Sequence, residues 1–294
     1  MRLGTFFDIE VRVNIFFFVA LGVALITGYL ETLAMIFVVI LLHEAGHCIA
    51  ARALGVKVER MDILPFGCAA KMQSALAYSP LSEAAIALCG PAVNAALALV
   101  AVFLQHYVEI GVDLSWFVQV NLLIGGFNLL PALPLDGGRA VRAFLSHRLG
   151  VTRGAKIAVY LTRSIALGCL GLGVYELIQG IFLPNPFFIA GLLGVYSFRT
   201  EKAAAYLPVK SMSDNAARLY RKGYLPVRHV AVDGSMTLGE LAGRMLPGRY
   251  TLVTVVDAGG GLLSEGELVS ALIKFGPHAR IKRVIAAKAA GGIQ

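Results

Sequence analysis

The sequence predicts a mainly α-helical membrane protein: a six-transmembrane helical bundle with one re-entrant, irregular loop region, followed by a small α/β cytoplasmic domain. Composition is the first observation behind this. Hydrophobic residues make up 57% of the 294 residues and charged residues 15%, with a mean hydropathy of +0.74. Ordinary soluble domains run at about 45–50% and about 25%. The second observation is uneven charge. Of the chain's 26 Lys/Arg and 18 Asp/Glu, residues 1–198 hold 12 and 11, and residues 199–294 hold 14 and 7. The third is a series of apolar runs close to the 20 or so residues that cross hydrocarbon. These divide the chain into a membrane body at 1–198, a linker at 199–223 and a cytoplasmic domain at 224–294.

The runs fall at residues 13–30, 33–51, 82–104, 115–130, 157–176 and 181–198. The first lacks a small-residue cleavage site and is followed by further spans, so it is expected to be retained rather than removed as a signal peptide. Between the second and third, residues 55–80 break the apolar pattern with Pro65, Gly67 and Pro80. Orientation follows from the loops. The connections near Glu31 and at 105–113 and 179–186 contain no Lys or Arg, whereas the opposite side collects Arg2, Arg12, Arg52, Lys57, Arg60, Lys71, Arg139, Arg142, Arg148, Arg153 and Lys156. Both termini are therefore expected in the cytoplasm. The basic tail suits an anionic membrane face of the lipid bilayer; no motif or basic–aromatic stripe points to nucleic acid. Four scattered cysteines, with no C-x-x-C pair, read as free thiols in apolar surroundings.

The second run contains "HEAGH". His43 and His47 are four apart and share a helix face, where they are able to hold one metal ion, and Glu44 beside them suits a general base. His43 precedes Arg52 by nine residues, which puts it about 13 Å below the cytoplasmic edge at 1.5 Å per residue. Ionisable groups at that depth are functional by default. A catalytic zinc takes three protein ligands and one open position. His106, His147, His229 and His278 fall in loops or in the tail, and Asp113 and Glu176 fall on the far side. Asp62 competes from the near side. Asp136 is the better third ligand: it ends "GGFNLLPALPLDGGRA", where Pro131 and Pro134 stop the fourth run and irregular backbone must line a cavity or be buried in protein.

At these residues the chain resembles the site-2 proteases, a family of intramembrane zinc metalloproteases, over the whole membrane body. "HEAGH" is similar to their zinc-ligand helix, "NLLPALPLDGGR" to their aspartate motif, "GPAVN" (Gly90 to Asn94) to a motif on an intervening span, and "LPFG" to the loop after the zinc helix. Cys68 stands where a second glycine is expected. The resemblance implies zinc held by His43, His47 and Asp136, and Glu44 as the catalytic base. It matches Asn128 to an asparagine that helps hold substrate, with a helix-packing amide as the alternative; Asn94 reads more simply as an interhelical hydrogen bond. The resemblance is nearest to the sporulation-type members. It implies a membrane-associated pro-sigma factor as substrate, membrane-bound inhibitor proteins as partners, and a location in the membrane around the forespore. An anti-sigma factor is the alternative substrate. A membrane transporter or sensor with a structural metal is the reading from another class, although no inverted repeat of broken helices supports it.

In the tail, short apolar strands and helices alternate as strand, helix, strand, strand, helix. The pattern resembles a single CBS domain, and Ser264 and Glu267 match positions that contact a nucleotide's ribose in that family. The resemblance implies regulation by ATP or another adenine nucleotide and homo-oligomer formation through this domain; a ligand-free docking module is the alternative.

Overall fold

The apolar runs become helices because a helix satisfies its own backbone groups and its side chains need no water. A computed structural model describes residues 2–6, 9–64, 67–72, 79–108, 112–204, 215, 219, 223–245, 249–257 and 261–290. Two compact units result: residues 1–75 with 82–140, and residues 76–81 with 141–294.

In the first unit, Asn14 caps α1 (Ile15–Thr27) by accepting from the Phe16 N–H at 3.0 Å, and Gly28 ends it in the left-handed conformation at φ 78°. α2 (Leu30–Ala53), α3 (Pro80–Tyr107) and α4 (Ser115–Asn128) follow. α2 and α3 approach closely at Gly46, where a Cβ would come within 2.7 Å of Val93 Cγ2 and 3.0 Å of the Cys89 carbonyl. Among the described residues, α2, α3 and α6 (Val151–Ile178) are long and apolar enough to span a membrane; α1 is apolar but shorter. Large apolar side chains such as Ile49, Leu99, Leu123 and Leu167 stand exposed on these helices, as a lipid-facing surface requires. The chain is an integral membrane protein.

Two stretches differ from the sequence expectation. Much of the segment expected to be irregular is β-structure: β3 (Val58–Leu64) and β4 (Gly67–Met72) form an antiparallel hairpin. They join β1 (Arg2–Phe6) and β2 (Ile9–Val13) in a sheet of order β1-β2-β3-β4, with β2 and β3 parallel. Backbone outside a helix still needs hydrogen-bond partners, and the chain's own start supplies them. Pro65 and Phe66 lie outside the described residues. The second difference is α5 (Asp136–Leu149), a helix in a place where only an irregular turn was expected; residues 129–135 alone are non-helical before it.

The second unit holds the helical hairpin of α6 and α7 (Asn185–Ala204), close at Gly173 against the Phe187 ring. Arg163 pairs with Glu201 and lies 4.9 Å from the Phe198 ring centroid. α7 runs through residue 204, so the first part of the expected linker is helical, and most of the rest lies outside the described residues. The tail shows the expected order: β5 (Val227–Val232), α8 (Leu238–Gly243), β6 (Tyr250–Val255), β7 (Gly261–Leu263) and α9 (Glu265–Phe275). A further helix, α10 (Ile281–Ala289), was not anticipated. β5 and β6 are parallel, β6 and β7 antiparallel. Val253, Val255, Leu263, Leu268 and Ile281 centre its core.

Candidate metal centre

One turn of α2 carries His43, Glu44 and His47. The two imidazoles are buried, at 4% and 2% exposure, and point to the same place. Asp136, the first residue of α5, meets them there: its Oδ2 lies 3.0 Å from His43 Nε2 and 3.0 Å from His47 Nε2, which are themselves 3.2 Å apart. The group is the one His/Cys/Asp/Glu set among the described residues whose ligand atoms converge in this way.

Three features bring these atoms together. Gly137 and Gly138 let the start of α5 press on the preceding loop, since a Cβ would stand 2.1 Å from the Leu129 carbonyl oxygen or 2.3 Å from the Ala132 carbonyl carbon. Arg139 donates to the other Asp136 oxygen, Oδ1, at 3.2 Å and so directs Oδ2 inward. Gly90 on α3 leaves space over the imidazoles; a Cβ there would sit 2.4 Å from His47 Nε2 and 2.7 Å from His43 Nε2.

The outer nitrogens decide the chemistry. His47 Nδ1 donates to the Ile86 carbonyl at 2.8 Å. That carbonyl adjoins the turn where Pro91, lacking an N–H, interrupts the α3 ladder. His43 Nδ1 bonds Asn94 Oδ1. With both Nδ1 hydrogens committed, each Nε2 presents a lone pair to an ionised carboxylate oxygen. Three acceptors within about one atomic diameter, shielded from water, repel one another unless a cation lies among them. Two neutral imidazoles and a carboxylate are a donor set for zinc. The site fits that ion.

Glu44 is half-buried on the same helix turn, within electrostatic reach of His47, His43 and Asp136, and the Ala70 backbone N–H of β4 faces its carboxylate. Asn128 is the last residue of α4, and its amide donates to the Ile124 carbonyl of its own helix at 3.0 Å, outside the three-residue group. Asp62 is in β3 and pairs with Arg60 at 3.0 Å. In the tail, Ser264 and Glu267 form a reciprocal capping box at the start of α9, and Glu267 also pairs with Lys288 at 2.6 Å. Both side chains thus have work in the fold. Sequence reasoning assigned no site role to Gly90, Asn121, Arg139 or the Ile86 carbonyl. A lone asparagine in the apolar run "FVQVNLLIGG" was a signal for Asn121.

A buried His, His, Asp set with two ligands on the membrane-spanning α2 and a glutamate beside them suits a membrane zinc metallopeptidase. Comparison with known proteins agrees. The profile of Peptidase family M50 matches residues 31–111 and 105–169, which contain every residue of the cluster. A zinc metalloprotease of Methanocaldococcus jannaschii is 29% identical over 264 residues, covering 87% of this chain and 74% of that protein. Stage IV sporulation protein FB of Bacillus subtilis is 28% identical over 178 residues, 58% of this chain and 60% of its own length. The solved structure titled Site-2 Protease from Methanocaldococcus jannaschii superposes with a TM-score of 0.51 at 28% identity, covering 68% of this chain and 94% of that one. The region that builds the cluster matches peptidase family M50, the family of the site-2 proteases, and the chain is a zinc metalloendopeptidase. The transporter or sensor reading falls with that match.

Proposed function

We propose that the chain cuts a membrane-associated protein substrate within or beside the bilayer, with His43, His47 and Asp136 holding zinc and Glu44 acting as base. The observation that carries this reading is the convergence of three buried acceptor atoms next to a carboxylate that none of them uses. When bound, zinc supplies Lewis acidity towards water and towards a peptide carbonyl. The residues do the rest. The imidazoles and Asp136 fix the ion's place. Glu44 takes a proton from the attacking water and returns it to the leaving amine, so the proton count closes over the cycle. Asn128 reaches substrate by releasing its bond to Ile124.

The test is co-expression with a candidate substrate. Glu44→Gln keeps zinc at the wild-type level and cuts about 10²–10⁴-fold more slowly, the usual contribution of a general base. A variant that cuts at the wild-type rate overturns the assignment.

The finer reading takes a pro-sigma factor as substrate, membrane-bound inhibitor proteins as partners and the membrane around the forespore as the location. It is supported by the similarity to stage IV sporulation protein FB and by the motifs that resemble the sporulation-type members. An anti-sigma factor is the competing substrate, and parallel co-expression separates the two. Six spans with both termini cytoplasmic rest on the apolar runs and the one-sided Lys/Arg loops. The tail's strand–helix–strand–strand–helix order supports the CBS-like reading, with adenine nucleotide at Ser264 and Glu267 and pairing between copies. Nucleotide contact there competes with the capping box. Titration of ATP to millimolar concentration into the detergent-solubilised chain, with Glu267→Ala as control, decides between regulation and a docking module.

A further inference from the structure

The His43 ring is set by a one-way chain of hydrogen bonds that starts at a backbone carbonyl two helices away. Asn121 Nδ2 donates to the Phe117 carbonyl at 2.9 Å. Asn94 Nδ2 donates to Asn121 Oδ1 at 3.0 Å, and Asn94 Oδ1 meets His43 Nδ1. Asn94 and Asn121 are both completely buried. The polarity of the hydrogen-bond chain has one solution. A carbonyl oxygen only accepts, so Asn121 turns its NH₂ to Phe117 and its oxygen to Asn94. Asn94 then donates to Asn121 and offers its own oxygen to His43. Nδ1 therefore carries the hydrogen, and Nε2 is left as the lone pair that faces Asp136.

We infer that Asn94 is a positioning residue that holds His43 in the metal-binding tautomer, and that Asn121 acts through it by fixing which way the Asn94 amide faces. A reversed Asn94 would present NH₂ to Nδ1, drive the hydrogen to Nε2 and block the ion. His47 needs no relay, because Ile86 supplies its carbonyl directly. The relay explains why α4, which holds no ligand, must pack against α3 at this level; Gly125 on α4 permits it, since a Cβ there would stand 3.0 Å from Asn94 Cβ.

The inference rests on the reading of His43 as a zinc ligand. Its test is zinc affinity of the detergent-solubilised full chain, measured by competition with a chromogenic chelator. The unfolding midpoint in excess EDTA is followed alongside, to report packing without metal. Asn94→Leu weakens zinc about 10- to 100-fold, the usual cost of losing a partner behind a ligand. Asn94→Asp stays near wild type, because a carboxylate accepts from Nδ1 whichever way it is turned, and Asn121 turns its NH₂ from the Phe117 carbonyl to the second carboxylate oxygen. Asn121→Leu weakens zinc about 10-fold in the wild-type background and causes no further loss in the Asn94→Asp background, where no orientation remains to be set. Equal losses in the two backgrounds would show a purely structural role for Asn121 and overturn the relay, as would wild-type affinity in Asn94→Leu. If Asn94→Leu does not fold, the comparison of the two backgrounds still decides. Wild-type chain that binds no zinc overturns both this inference and the proposed function, whereas zinc-binding wild type with unaffected variants overturns this inference alone.

Discussion

Gly90 faces the two Nε2 atoms across a gap that a methyl group would fill. At 2.4 Å from His47 Nε2, an added Cβ meets a ring that is unable to retreat, because its other nitrogen is bound to the Ile86 carbonyl. The neighbour that must yield is therefore the ligand itself. Gly90→Ala is expected to lower zinc affinity by about 10–100-fold, as displacement of a ligand from its supporting partner does, with little change in helix content. Chelator competition and far-UV circular dichroism check the two halves. Gly46 makes the same kind of contact against Val93 and Cys89, where substitution disturbs helix packing instead of the site. Single residues thus separate by what they touch, although both glycines look alike in a string of small apolar letters.

Helix α9 shows how an element gains a firm start. Ser264 accepts from the Glu267 N–H, and Glu267 Oε2 accepts from the Ser264 N–H at 2.8 Å. Ser264→Ala should cost the tail about 1 kcal/mol, the usual value of an N-cap, read as a lower unfolding midpoint. Glu267 adds a pH dependence. Its partial burial would raise its pKa, but the bonds from Lys288 and Ser264 outweigh that and hold it below the ordinary glutamate value. The folded state therefore favours the ionised form. The stabilisation is fully present above the ordinary value, about 4.3, and is lost as pH falls through the lowered one. Glu267→Gln should lower tail stability at neutral pH and flatten the acid limb below about pH 4, where the wild type has already lost this contribution; an identical acid limb in the variant would refute the assignment.

At the scale of the molecule, zinc joins parts that are far apart in sequence: α2, and α5 more than 80 residues later, with α3 and α4 supporting from behind. An ion that binds only the folded chain adds stability as RT ln(1 + [L]/Kd), about 2.7 kcal/mol at one hundred times Kd. EDTA should therefore lower the thermal midpoint of the solubilised chain by several degrees and added zinc should restore it. His47→Ala should show neither response. A wild-type midpoint indifferent to chelator would mean that the metal does not bridge these helices.

The apolar runs, the i and i+4 histidines with Glu44, and the tail's strand and helix order were all legible in the sequence, because each depends on neighbours within a few positions. Periodicity and local hydrogen bonding are written into consecutive residues. The hairpin at 58–72 was not legible, since its pairing partner is the chain's own first strands, some 50 residues away, and only a folded chain reveals such a register. The same holds for the helix that begins at Asp136. Tertiary structure alone placed Gly90 over the imidazoles, aimed Asp136 Oδ2 through Arg139, and linked His43 to Asn121. A ligand's tautomer and reach depend on what stands behind it, and that is settled by packing between helices, where sequence distance carries no information.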